Sequence, residues 1–390
     1  MSSSFIPVNE PLLDGNELEY VTDCIESGWI SSEGPYVEKF EQALAKRVGR
    51  SYGIAVSSGS AALEIAIASL NLGPGDEVIL PTHTIISCAA AIVKTGARPV
   101  LVDSDAHTWN MDVEAVRHKI SAQTKAIMIV HIFSLPVDLQ PLLDLAQEHG
   151  LFVIEDAAQM IGQNYRGNPC GSFGDISVFS FYPNKHVTTG EGGMVLTNSE
   201  HLAERARGLR NLCFQPDKRF VHEELGWNYR LSNVHAAIGL AQVETLDRHV
   251  ELKKKMGVRY RQLLEDIPGI FLPPCDQEYA DNIYWVFGIL LGDIYDNDAS
   301  VIMQQLAEAG VGTRPFFWPM HEQPVFTGEA ESNFLPGNMT GLFTGEHYPV
   351  AENLARRGLY LPGGLALTTD QQDSVVETLR RVLAKNAVSV

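Results

Sequence analysis

From about residue 50 to residue 200, short runs of apolar residues alternate with longer segments whose apolar positions recur at helical spacing. GIAVSS, EVILP, PVLVDS, KAIMIVHIF, LFVIEDA, DISVFSFY and GGMVLTN read as strands. Between them, SAALEIAIASL, ISCAAAIVKTG, DVEAVRHKI and DLQPLLDLAQEHG read as helices, several of them closing on the glycine that favours a helix end. That rhythm predicts an α/β fold, a large sheet covered by helices on both faces. Most of the strands are apolar throughout rather than alternating, as strands buried on both faces must be. After Asn198 the pattern turns helical, with HLAERARGLR and then a long helix expected from about Ser232 to Leu264. The remainder, from about Pro268, mixes the strand-like IYWVFGILL, the helical VIMQQLAEAG and a Gly/Pro-rich stretch, FLPGNMTGLFTGEHYP. The expected division is a large domain over residues 1–250 and a smaller C-terminal α/β domain over 251–390.

Composition narrows the function classes. The chain has 390 residues, 45% hydrophobic and 20% charged, which suits a folded, water-soluble protein. Against 48 acidic residues stand 29 basic ones, a formal charge of -19 that repels phosphate backbones and anionic lipid surfaces. Nucleic acid and membrane are therefore not the expected partners, although a few local donors suffice for a small anion. Five scattered cysteines without CxxC spacing argue against a disulfide framework and a zinc site, and fit a reducing cytoplasm. The N-terminal MSSSFIPVNEP lacks a basic region followed by an apolar run, and no stretch of about 18 apolar residues occurs, so neither export nor a membrane span is expected. Asn338-Met339-Thr340 matches the glycosylation sequon and is taken as chance.

Ligands of open α/β sheets bind at the carboxyl ends of the strands, so the residues there are the first candidates. Ser57-Ser58-Gly59-Ser60-Ala61-Ala62 follows GIAV and opens a helix, whose free N–H groups suit a phosphate, although small residues there are also ordinary caps. Asp156 follows the apolar LFVI, which makes it either a helix cap or a buried carboxylate in need of a cationic or donating partner. Lys185 follows the Pro183-Asn184 break after the apolar FSFY, which contains Ser180. It is either a solvated loop lysine or an amine in a desolvated pocket, where burial lowers its pKa and frees it to attack a carbonyl.

A phosphate cradle, a buried aspartate and a nucleophilic lysine are together the three requirements of one cofactor, pyridoxal phosphate (PLP): the aldehyde needs the lysine, the ring nitrogen the carboxylate and the phosphate the helix N-terminus. Thr188-Thr189-Gly190-Glu191-Gly192-Gly193 would let the backbone fold tightly behind the lysine.

The set VSSGSAAL, VIEDAAQ, FSFYPNKHVTTGEGG and LGWNYRLSN, with RPFFWPMH and LYLPGGLALTTDQ, resembles the PLP-dependent sugar-nucleotide aminotransferases over nearly the whole chain. GWISSEGPYVEKFE and VDSDAHTWNMD look most like the members that act on GDP-linked sugars. The resemblance implies an aspartate-aminotransferase-type PLP-dependent transferase fold, a homodimer with shared active sites, and amino transfer from L-glutamate to C4 of a nucleotide-linked keto sugar. It implies Lys185 as the lysine bonded to the cofactor, Asp156 as the ring-nitrogen partner and Gln159 as a contact on the phenolic side. Gly59, Ser60, Ala61 and Ser180 would hold the phosphate, joined by Asn228 from the other subunit. Family members usually stack an aromatic residue on the ring where PTHTIIS has Ile85, so either Ile85 makes an apolar contact or His83 takes over.

For the nucleotide sugar the candidates are Trp29, Ser31, Arg230, Arg314 and His321, since a diphosphate favours arginine and a ring favours aromatic faces. His186, beside the lysine, either touches substrate or packs elsewhere; Trp29 and Phe316 suit core or dimer contacts equally, and Arg314 suits a surface ion pair. A sister PLP-dependent sugar 3-dehydratase carries histidine at the lysine position, whereas FYPNKH keeps Lys185. A nucleotide-dependent oxidoreductase lacks its signal, because neither GxGxxG after a strand nor GxxxxGK[ST] occurs.

Overall fold

The computed structural model describes residues 5–215, 217–329, 339 and 341–387. Asn338 and Thr340 of the sequon lie outside the described residues. Two helices that the strand-and-helix rhythm does not reveal come first: α1, Glu17–Ser27, and α2, Pro35–Val48. Their boundaries follow from local chemistry. Gly28 and Gly49 end them in the left-handed conformation, and Pro35 opens α2 where its missing N–H costs nothing.

The large sheet has seven strands: β1 Tyr52–Val56, β2 Glu77–Pro81, β3 Arg98–Val102, β4 Thr124–Val130, β5 Phe152–Asp156, β6 Ile176–Ser180 and β7 Gly193–Thr197. Their spatial order is β1-β7-β6-β5-β4-β2-β3. All neighbours run parallel except β7, which lies antiparallel to both β1 and β6. Successive side chains of a strand face opposite sides, and the two apolar clusters divide accordingly. Ile54, Val56, Leu80, Met128 and Ile154 pack on one face with α3, Gly59–Ser69, and α4, Ile86–Lys94. Ala55, Ile79, Ile127, Val153 and Phe179 pack on the other with α2, α6 (Leu139–His149) and α8 (Asn233–Glu244). The short helix between β3 and β4 is α5, Val113–Lys119, and α7, Glu200–Arg210, follows β7.

The long helix expected over 232–264 is two helices, α8 and then α9, Leu246–Leu264. Thr245 parts them: its hydroxyl bonds back to the carbonyls of Ala241 and Gln242, 3.4 and 3.2 Å away, competing with the helical ladder. IYWVFGILL is strand only over its second half. Tyr284 has a positive φ of 52° and the Trp285 N–H goes to Ser134 Oγ, so the ladder begins at Phe287. The second sheet is antiparallel, made of β8 Ile270–Phe271, β9 Phe287–Leu291, β10 Arg314–Pro315 and β11 Gly358–Leu361, in the order β8-β9-β11-β10. It shares a third apolar cluster with α9, α10 (Ala299–Glu308) and the terminal helix Thr369–Asn386. No helix among the described residues is long and apolar enough to cross a membrane.

Candidate active site

The carboxyl ends of β1, β4, β5 and β6 converge on a cavity of about 350 Å³. Each parallel strand delivers the residue that follows its apolar run to this edge: Ser58 and Gly59 after β1, Val130 from β4, Asp156 from β5 and Ser180 from β6. Lys185, Gln159, Ser60 and Ile85 complete the predicted residues that line it.

Asp156 is buried at the last position of β5. No helix follows it. Oδ1 accepts the Ala158 N–H at 3.0 Å, closing a turn, and Oδ2 accepts the Cys88 thiol at 3.3 Å. The two readings of this residue resolve into a buried carboxylate that also caps a turn. Burial raises its pKa, against the smaller lowering by these bonds and by Lys185. Glu155, one residue earlier, faces the other side of the sheet, where it pairs with His131 at 3.2 Å.

Lys185 is 8% exposed. Its Nζ lies 3.5 Å from the centroid of the Trp285 ring. Burial pulls its pKa down to about 7, with Asp156 opposing and Lys253 adding to the shift. An amine in this position is substantially uncharged near neutrality, whereas a solvated lysine is not. The lysine is therefore a buried one.

At the other strand ends, Ser58 caps α3 by accepting the Ala61 N–H at 3.1 Å. The Ala61 amide is thus already engaged, and the N–H groups of Gly59 and Ser60 are those that a first helical turn leaves for a ligand. A Cβ on Gly59 would come 2.7 Å from Ser180 Cβ, so only glycine lets the helix end approach the Ser180 hydroxyl. A Cβ on Gly193 would meet the Ser58 carbonyl oxygen at 2.4 Å, which accounts for the glycine-rich run behind the lysine. Ser60 Oγ and Ser87 Oγ are 2.7 Å apart at the cavity edge. Gln159 Oε1 accepts the Phe133 N–H at 2.5 Å, leaving its Nε2 donors for a ligand. Ile85 is 43% exposed and lines the cavity, while His83 is buried behind it among Phe133, Phe316 and Phe317.

The remaining candidates are not brought to this cavity. His186 is buried facing elsewhere, its Nε2 3.1 Å from the Ile283 carbonyl, and burial drives its pKa down to about 3. His321 is held between Thr82 Oγ1 at 2.9 Å and Glu352 at 3.0 Å. Arg314 is exposed on β10 and bonds its neighbour's carbonyl. Phe316 is core, its ring 4.5 Å from that of Phe133. Ser31 and Arg230 line a separate cavity of about 660 Å³, together with Arg207, Arg210 and Arg219. That cavity holds no buried amine and carboxylate pair; Arg210 is matched to Glu41 at 2.5 Å. Trp29 and Asn228 are exposed and line neither cavity.

Sequence reasoning missed Ser87, Tyr182, Asn184, Trp285, Phe317 and Tyr360, which also line the site. Ser87, two residues after Ile85 in a stretch already singled out, was within reach. Trp285 and Tyr360 come from the second sheet's side of the molecule and carry no local signal.

A match to the DegT/DnrJ/EryC1/StrS aminotransferase family covers residues 11–380. The chain is 38% identical to the GDP-perosamine synthase of Escherichia coli O157:H7 over 375 residues, 96% of this chain and 98% of that one. It is likewise 38% identical to the GDP-perosamine synthase of Caulobacter vibrioides over 378 residues, 97% of this chain and 98% of the relative. The fold superimposes on the aminotransferase TlmJ from Streptoalloteichus hindustanus with a TM-score of 0.86 at 29% identity, covering 97% of this chain and 99% of that one.

Proposed function

The chain belongs to the DegT/DnrJ/EryC1/StrS aminotransferase family, and from that premise we propose that it moves an amino group from L-glutamate, through pyridoxal phosphate, to C4 of a nucleotide-linked 4-keto-6-deoxy sugar. The substrate we assign is GDP-4-keto-6-deoxymannose and the product GDP-perosamine, a sugar for surface polysaccharide, made in the cytoplasm. The observation that carries the reading is buried Lys185 sharing one cavity with buried Asp156 and the N-terminus of α3. The GDP-perosamine synthases at 38% identity support the sugar and the nucleotide.

The residues fit the cofactor. The N–H groups of Gly59 and Ser60, with the hydroxyls of Ser180 and Ser87, would hold its phosphate, aided by the positive end of the helix dipole. Gln159 would donate on the phenolic side, and Ile85 would cover a ring face with apolar contact in place of stacking. Bound there, pyridoxal phosphate supplies an aldehyde that bonds to amines and a protonated ring that accepts the electron pair left when a carbon acid loses its proton. Asp156 would hold the protonated ring nitrogen through a charge-assisted bond and so help it keep its proton. Lys185 Nζ, its pKa pulled down to about 7 by burial, would attack as a free amine and would take and return protons close to neutrality without a second base. Trp285 and Phe317 give part of the cavity wall an apolar surface.

A homodimer completes this picture. Asn228 is exposed and Arg230 and Ser31 line the second cavity, so in a dimer with shared sites they would reach the partner's cofactor and nucleotide rather than their own. We also place the division between domains near residue 250, because apart from Ile6 the third apolar cluster draws its residues from Met256 onward.

The test of the substrate is to load the protein with amino groups from glutamate, then offer GDP-, UDP- and dTDP-linked 4-keto sugars and follow the return of the yellow cofactor absorbance. The GDP-linked sugar is expected to restore it fastest; faster discharge by either of the others overturns that assignment.

A further inference from the structure

Lys253 is a buried amine that the reaction as described leaves unused. It lies on α9, 1% exposed, and its Nζ donates to two neutral acceptors, the carbonyl oxygens of Trp285 at 3.0 Å and of Gly363. Burial pulls its pKa down to about 7, and an amine held against carbonyls alone is a costly choice where a methionine would fill the space. What its bonds hold supplies a reason. Trp285 is fixed at three polar atoms: its N–H donates to Ser134 Oγ at 2.7 Å, its carbonyl accepts from Lys253, and its indole N–H donates to the Asn184 carbonyl at 2.9 Å. The ring so fixed is the one 3.5 Å from Lys185 Nζ. Gly363 follows β11, so the same amine also ties the second sheet to the cavity wall.

We propose that Lys253 is a positioning residue for Lys185, pinning the Trp285 ring against the reacting amine. The proposal rests on the reading of Lys185 as the amine that bonds the cofactor. An aromatic face favours the ammonium, whereas burial favours the free amine; Lys253, itself only partly charged near neutrality, adds to the second effect. Among the other titratable groups, Asp156 faces Lys185 from β5 and favours its charged form. Tyr182, Glu191 and Tyr360 line the same cavity. His186 lies toward Lys253 and is held neutral chiefly by burial; His249, which bonds the His186 carbonyl at 2.9 Å, is lowered by burial too. None of these is changed in the variants below.

The test uses the full chain stripped of cofactor, exposed to pyridoxal phosphate across a pH series, quenched with borohydride and scored by mass mapping of modified Lys185. In the parent protein, half-maximal labelling is expected near pH 7. In Lys253→Met, release of the Trp285 ring should slow labelling of Lys185 about tenfold on the high-pH plateau, where both lysines are uncharged and loss of the Lys253 charge plays no part. Lys253→Gln keeps a donor for one carbonyl while losing the charge; it should recover part of that rate, and it serves if the methionine variant fails to fold. A plateau rate equal to the parent's in a variant with the parent's far-UV circular dichroism overturns the proposal, since a Trp285 ring held as well without Lys253 needs no pin. A parent protein in which Lys185 is never labelled overturns both the proposal and the reading beneath it, a failure recognised before any variant is compared.

Discussion

Asp156 is a carboxylate that an apolar strand carries into a place where, among the described residues, a thiol and one amide donate hydrogen bonds to it. Burial raises its pKa, so in the absence of a cationic ligand the folded chain binds this proton more tightly than the unfolded one. Its contribution to stability is fully present below the unfolded value of about 3.9 and is lost as pH rises through the raised folded value. Asp156→Asn removes that loss and keeps an acceptor for Ala158. The cofactor-free variant is therefore expected to melt at least as high as the parent at pH 7, while its affinity for pyridoxal phosphate falls by about ten- to a hundredfold through loss of a charge-assisted bond. Calorimetry and a fluorescence titration read the two separately; unchanged affinity would leave Asp156 as a turn cap. Asp156 and Lys185 were legible in the sequence because each follows an apolar run that can only be a buried strand. His186 takes the second of its two readings, packed away from the lysine, and His321 is likewise enclosed and already bonded.

At the scale of elements, the β1–α3 junction shows how closely the site is built into the sheet. Gly59→Ala would drive its new methyl to 2.7 Å from Ser180 Cβ. Overpacking of this kind costs about 1–3 kcal/mol, and relief here means moving the hydroxyl that faces the phosphate site. The variant is expected to bind the cofactor at least about tenfold more weakly. Gly208→Ala on α7, where a Cβ meets nothing within 4 Å, should gain up to about 1 kcal/mol of helix stability and bind normally. Equal affinities in the two variants, by equilibrium titration, would contradict the cradle. The strands of the large sheet were readable because a buried parallel strand is apolar on both faces. α1 and α2 had signals too, in Gly28, Gly49 and Pro35, but they lie outside the alternating rhythm. The break at Thr245 was not readable from periodicity, since the apolar spacing carries across it and a hydroxyl bonding backward decides the matter.

Across the whole molecule, the cavity sits where the large sheet's strand ends meet residues from beyond residue 280. Trp285, Phe317 and Tyr360 close it from that side, and Lys253 ties the Trp285 backbone to Gly363. This half of the site was hidden in the sequence because it depends on contacts between residues a hundred or more positions apart, for which a single sequence holds no local pattern. Everything proposed for the protein depends on the Lys185 amine meeting the cofactor's aldehyde within reach of Asp156. The most direct measurement is to reduce the purified, cofactor-loaded protein with borohydride, digest it and locate the modified peptide by mass. The account predicts a single adduct on Lys185, absent after prior incubation with glutamate; an adduct on another lysine, or none in protein shown to carry the cofactor, would contradict it.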